Sequence, residues 1–156
     1  MTTMLCATVM QAALLLTGAG ATPAAAETYA AARRATVETG KPMVIMVSTD
    51  WCPPCQVMKK SILPRVREHG LLRKVAFAMV NPDRDGELAN EITGGGPIPQ
   101  LVMFRKTPKG WVRKKLIGGQ SVEAVEEFIN DGLASDKADK KAEKKVTPED
   151  KSSHHG

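Results

Sequence analysis

Two cysteines flanking two prolines, Trp51-Cys52-Pro53-Pro54-Cys55, are the residues of this sequence best suited to chemistry. Thiolates act as nucleophiles, as metal ligands or as halves of a disulfide. A bridge across so short a loop restricts the unfolded chain little compared with one spanning many residues. Stapling is therefore a poor reason to set cysteines three apart, and reactivity is the better one. A structural zinc site needs about four ligands. Besides these cysteines the chain beyond its N-terminal segment offers only His69, His154 and His155, so no metal site is expected. Soft sulfur ligands select Cu(I), and Met43, Met46, Met58 and Met103 keep a non-enzymatic copper- or thiol-client-binding chaperone as the alternative reading. Methionines in apolar segments are nevertheless usually core filler.

The prolines bear on the sulfurs. Proline suits the first helical position, where its missing N–H would have no partner. Pro53 precedes Pro54, and a residue before proline is pushed out of the helical region. The expectation is a helix starting at or near Pro54, with Pro53 extended or in a turn. The N–H groups of Cys55 and Gln56 would then be the main local donors to the Cys52 sulfur. So few donors argue for a thiol pKa of about 7, as in reducing dithiols, rather than the value of about 3.5 found in strong oxidants.

The flanking sequence supplies elements to hold this segment. Residues 27–40 are Ala-rich and helix-favouring, ending at Gly40 before Lys41-Pro42. Residues 43–48 form a short apolar run with the character of a strand buried on both faces. Cys55, Met58, Ile62 and Val66 recur at helical spacing, and Pro64 should kink that helix. A second buried strand covers 75–80, closed by the turn formers of 81–86, and Asp85 is positioned to cap a short helix carrying Leu88 and Ile92. Thr93-Gly94-Gly95-Gly96-Pro97 breaks regular structure before a strand at 101–104, which a turn joins to a partly exposed strand at 111–117. Ser121 is placed to cap a last helix with Val122, Val125, Ile129 and Leu133 on its buried side. The alternating part implies parallel pairing through right-handed crossovers, and the final hairpin adds antiparallel pairing.

Over nearly all of 28–133 the sequence resembles the thioredoxin superfamily. The likeness rests on Trp51-Cys52-Pro53-Pro54-Cys55, on the lead-in 40–52, and on Pro97-Ile98-Pro99-Gln100 before a strand, which looks like the family's cis-proline loop. The resemblance implies an α/β fold, with a small central mixed sheet of about four strands and helices on both faces. It also implies dithiol–disulfide exchange with no cofactor beyond the Cys52–Cys55 couple. Cys52 would be the nucleophile and Cys55 the resolving cysteine, with Pro99 opposite them and Trp51, Pro53, Pro54 and Ile98 in supporting roles. Thioredoxins proper carry a buried acid six residues before the first cysteine; here that position is Met46. No histidine lies between the cysteines, unlike in the oxidising and isomerase-like relatives, which favours a reductant.

Composition and chain ends complete the reading. Lys and Arg exceed Asp and Glu by 22 to 17, without a basic motif interleaved with aromatics, so no nucleic-acid partner is expected. Residues 1–26 carry no charged side chain, are mostly apolar from Met4 to Leu16, broken only by Thr8 and Gln11, and offer Ala24 and Ala26 as a cleavage site. They read as an export signal, which would remove Cys6. A mature domain at 27–134 would be periplasmic or secreted and monomeric. Its partners would be cysteine-containing exported proteins and a membrane-bound or soluble thiol electron donor. Residues 135–156, rich in mixed charge with Val146 as the one large aliphatic, read as a disordered tail.

Overall fold

The computed structural model describes residues 28–146. The expected export signal with Cys6, and residues 147–156 with His154 and His155, lie outside the described residues. Thr28 caps helix α1 (Tyr29–Thr39) by accepting from the Ala31 N–H at 3.2 Å. Gly40 ends it in the left-handed conformation, φ 69°, a region glycine enters without steric cost. Strand β1 (Met43–Val47) is buried along its whole length. Its side chains alternate between two cores: Val44 and Met46 face one, while Met43, Ile45 and Val47 face the other.

Helix α2 (Pro53–Val57) runs through a five-residue π-helical stretch, Met58–Ile62, into α3 (Leu63–Glu68). The Leu63 N–H bonds the Met58 carbonyl, five residues back. Pro64, expected to kink the helix, sits in the first turn of α3, where no intrahelical N–H is needed. The wider turn before it resets the hydrogen-bond register. A 3-10 turn at Leu71–Lys74, not anticipated from sequence, leads into β2 (Ala76–Val80). Helix α4 (Gly86–Thr93) follows Asp85, which stands at the cap position without a side-chain capping bond, contrary to expectation. Strands β3 (Gln100–Thr107) and β4 (Gly110–Ile117) form the expected hairpin, and α5 (Val122–Val146) completes the order.

The sheet order is β2-β1-β3-β4, with β1 and β2 parallel and the other two pairings antiparallel. The expected parallel pairing thus holds for β1 and β2 alone, because β3 enters antiparallel to β1. One face is covered by α3 and α5 through Val66, Val125, Phe128 and Ile129; the other by α1 and α4 through Ala32, Ala89 and Ile92. This is the expected α/β architecture of four strands between helical layers. Strand β4 is an edge, and its cations alternate in use. Arg113 and Lys115 donate to the last carbonyls of α4, with Lys115 Nζ 2.6 Å from the Thr93 oxygen. Lys114, on the opposite face, sits over the Phe128 ring and pairs with Asp131.

The expected disordered tail is corrected over 135–146, where α5 continues without a break. Propagating an existing helix costs far less than nucleating one, and Ala, Lys and Glu propagate well. Polar contacts hold the extension down. Asp136 is buried and accepts from Lys140 Nζ at 2.7 Å; the same ammonium reaches the Gly40 carbonyl at 2.6 Å. Arg105 of β3 pairs with Asp139 at 2.7 Å.

Candidate redox site

Antiparallel pairing of β1 with β3 sets Val47 opposite Gln100. The chain leaving β1 and the chain entering β3 therefore meet at one end of the sheet, bringing Cys52 to Ile98. Cys52 is the extended N-cap of α2 (φ −83°, ψ 113°) and is joined to Cys55 by a disulfide, with Cα atoms 5.2 Å apart. Pro53 and Pro54 fill the first helical positions. The helix thus opens at Pro53, one residue earlier than expected, and the residue pushed into extended backbone is Cys52. The Gln56 N–H donates to the Cys52 carbonyl at 3.1 Å, closing the first helical turn. Gln56 is therefore engaged with the carbonyl and not, as the sequence reading had it, with the sulfur.

The two cysteines are both buried, Cys55 the more completely. Cys55 is fully buried, whereas Cys52 retains 4% exposure, with Sγ 4.0 Å from the Ile98 carbonyl oxygen. The Ile98–Pro99 peptide bond is cis. The Pro99 carbonyl accepts from the Gly118 N–H at 2.8 Å, fastening the loop to the end of β4. Gly119 approaches Pro54 so closely that a Cβ there would lie 3.4 Å from the Pro54 Cβ. The structure thus brings Trp51, Cys52, Pro53, Pro54, Cys55, Ile98 and Pro99 to one end of the sheet, and adds Gly118 and Gly119.

Trp51 stands out from the surface at 69% exposure, its indole N–H donating to the Asp83 carboxylate at 3.0 Å. Asn81 fixes the turn carrying Asp83 by accepting from the Asp83 N–H at 2.9 Å. Asp50 is bonded to Lys59 at 2.8 Å and lies 3.7 Å from Arg84. The Lys59 hydrogen bond, then the Lys59 and Arg84 charges, hold the Asp50 carboxyl below the usual range. Sequence reasoning missed Asp83 and Asn81; the clue was a polar turn immediately after a buried strand. Gln100, also missed, is a polar residue directly after Pro99 and just before the apolar run Leu101–Phe104.

Met46, at the position of the buried acid in thioredoxins proper, packs among Val44, Met58 and Leu101. Met43, Met46, Met58 and Met103 all lie in the core, as filler. A cavity of about 890 Å³ lined by Ala31, Ala35, Pro64, Arg67, Leu72 and Phe77 lies at the start of β2, the end of the sheet away from the cysteines.

This sheet order, with a Cys-x-x-Cys disulfide at a helix start opposite a cis-proline loop, defines a thioredoxin-fold domain. Residues 24–106 match the family model described as Thioredoxin-like, and the chain belongs to that family. "Probable thioredoxin-2" of Caenorhabditis elegans is 29% identical over 104 residues, 64% of this chain and 64% of that protein, so the chain spans just under two thirds of that relative's length. Among solved structures, a thioredoxin from Thermus thermophilus superposes with a TM-score of 0.60 at 20% identity, covering 68% of this chain and 84% of that one. One from Trichomonas vaginalis gives 0.53 at 25%, covering 67% and 90%. Trxlp from Edwardsiella tarda gives 0.53 at 24%, covering 65% and 93%. Family, fold and the Cys-x-x-Cys disulfide together suggest thiol–disulfide oxidoreductase chemistry.

Proposed function

We propose that this protein is an exported thiol–disulfide oxidoreductase that reduces disulfides of other exported proteins. The observation that carries the reading is the Cys52–Cys55 disulfide at the start of α2, with Cys52, the less buried of the two, against the Ile98 carbonyl. An incoming sulfur meets Cys52 first. In the dithiol form the Cys52 thiolate attacks one sulfur of a client disulfide; the client's S–S bond breaks and its other sulfur leaves as a thiolate. Cys55 then loses its proton and its thiolate attacks Cys52 Sγ, releasing the second client thiolate. The Cys52–Cys55 disulfide forms, and two electrons have passed to the client. A thiol donor, membrane-bound or soluble, returns them by the reverse exchange. The reaction asks for no cofactor or metal and no nucleic acid, and a monomer suffices.

A Cys55→Ala variant should accumulate mixed disulfides through Cys52, visible on non-reducing gels and lost on adding dithiothreitol. No trapping, together with tight Cu(I) binding by the wild type, would turn the reading to the copper-binding chaperone. Direction is tested by the potential of the Cys52–Cys55 couple, expected nearer about −270 mV than about −120 mV. Export is supported by the uncharged apolar N-terminus and its small-residue site. Protein recovered from the exported fraction should begin at Glu27, and an intact N-terminus in the cytoplasmic fraction would overturn that part.

A further inference from the structure

Gln100 is 1% exposed and follows Pro99 in a strand that continues Leu-Val-Met-Phe. An apolar side chain would satisfy that position, and a buried carboxamide costs stability unless its hydrogen bonds are made. Its Nε2 donates to the Pro97 carbonyl at 2.9 Å and to the Gly95 carbonyl at 3.2 Å. Its Oε1 is buried with no hydrogen-bond partner among the described residues. Gly94, Gly95 and Gly96 all take positive φ (68°, 81° and 101°), and a Cβ on Gly96 would lie 3.3 Å from Gln100 Nε2. The loop is thus wrapped around the carboxamide. Its near end is tied to α4, where the Gly94 N–H donates to the Asn90 carbonyl and the Gly95 N–H to Thr93 Oγ1. Its far end is tied to β4 through Gly118 and Pro99. Between these ties the Gln100 carboxamide bonds the loop's own carbonyls, immediately before the Ile98 carbonyl that faces Cys52.

We infer that Gln100 is a positioning residue of the redox site. Its two hydrogen bonds set the height of the loop over 95–98, and so hold the Ile98 main chain where a client strand can lie beside Cys52. With Oε1 unpartnered, the side chain's polar contacts are the two that Nε2 makes to the loop carbonyls, which fits a residue kept for placement.

This inference rests on the oxidoreductase reading, and the experiment separates the two. Reduction of insulin, whose chain must lie against the loop, is compared with reaction of the reduced protein with 5,5′-dithiobis(2-nitrobenzoate), a small disulfide with no main chain to place. The Gln100→Met variant keeps length and removes both donors. Its KM for insulin should rise about tenfold, the scale of two hydrogen bonds, with kcat little altered and a much smaller change toward the small disulfide. An equal loss toward both, or no change toward either, overturns the positioning role. In Gln100→Glu a neutral carboxyl keeps one donor, and burial raises its pKa. The insulin-to-small-disulfide rate ratio should therefore fall relative to wild type as pH rises. A ratio matching wild type at every pH overturns the role even if the Met variant fails to fold. A wild type inert toward both disulfides removes the oxidoreductase reading itself.

Discussion

Asp50 is the carboxylate closest in sequence to Cys52, and its charge is committed to Lys59 and Arg84. Its lowered pKa has a definite sign: folding favours the ionised form. The resulting stabilisation is fully present above the unfolded carboxyl pKa of about 3.9 and is lost as pH falls through the lower folded value. Because Asp50 is largely exposed, the effect is small. The Asp50→Asn variant should therefore lose less stability than wild type as pH falls below about 4, by urea unfolding. Identical acid limbs would show the Lys59 bond to be immaterial. At this scale the chemistry was legible in the sequence, since the cysteines, prolines and tryptophan announce themselves by type and spacing. The residues that hold them were less so. Asp83, Asn81 and Gln100 act through individual hydrogen bonds, across 32 and 2 residues for the first two and across 5 and 3 for Gln100, and no periodicity marks such contacts.

Elements were legible wherever apolar spacing matched a period. β1 reads as a fully buried strand because both its faces are covered, and the first half of α5 shows its buried side at Val122, Val125 and Ile129. The second half of α5 was hidden because its anchors are polar, and a test based on apolar burial does not register Asp136 and Lys140. Lys140→Met should leave Asp136 buried without its ammonium and release the Gly40 carbonyl. Lys140 is itself half exposed, so the expected loss is about 1–2 kcal/mol in chemical denaturation. Stability equal to wild type would reduce the extension to an idle appendage. Gly132 makes a sharper case. Helix propensity alone would reward Gly132→Ala by about 1 kcal/mol, yet the Met103 side chain occupies the place of its Cβ. The variant should instead be destabilised, by about 1–3 kcal/mol. Combining it with Met103→Ala should cost less than the sum of the two changes. A stabilised single variant would mean that Met103 swings aside freely.

In the whole molecule, the direction of β3 could not be taken from the order of elements. Helix-linked strands suggest parallel neighbours, and antiparallel entry of β3 is visible only in the pairing of Val47 with Gln100. That pairing creates the site, since a parallel β3 would have carried Ile98 and Pro99 to the far end of the sheet. It also divides the site unequally in chain distance. The two sulfurs are separated by 3 residues, whereas Cys52 and Ile98 are separated by 46. Closing the short loop is fast and the long one slower, because contacts distant along the chain form only after more of the backbone has been ordered. A reduced chain kept unfolded in urea should therefore still join its sulfurs in an oxidising glutathione buffer, with β3 undocked. Mass spectrometry of quenched samples would show the intramolecular disulfide in urea, and its absence there would count against this independence. The protein would acquire its oxidation state as a peptide and its ability to use that state only as a folded domain.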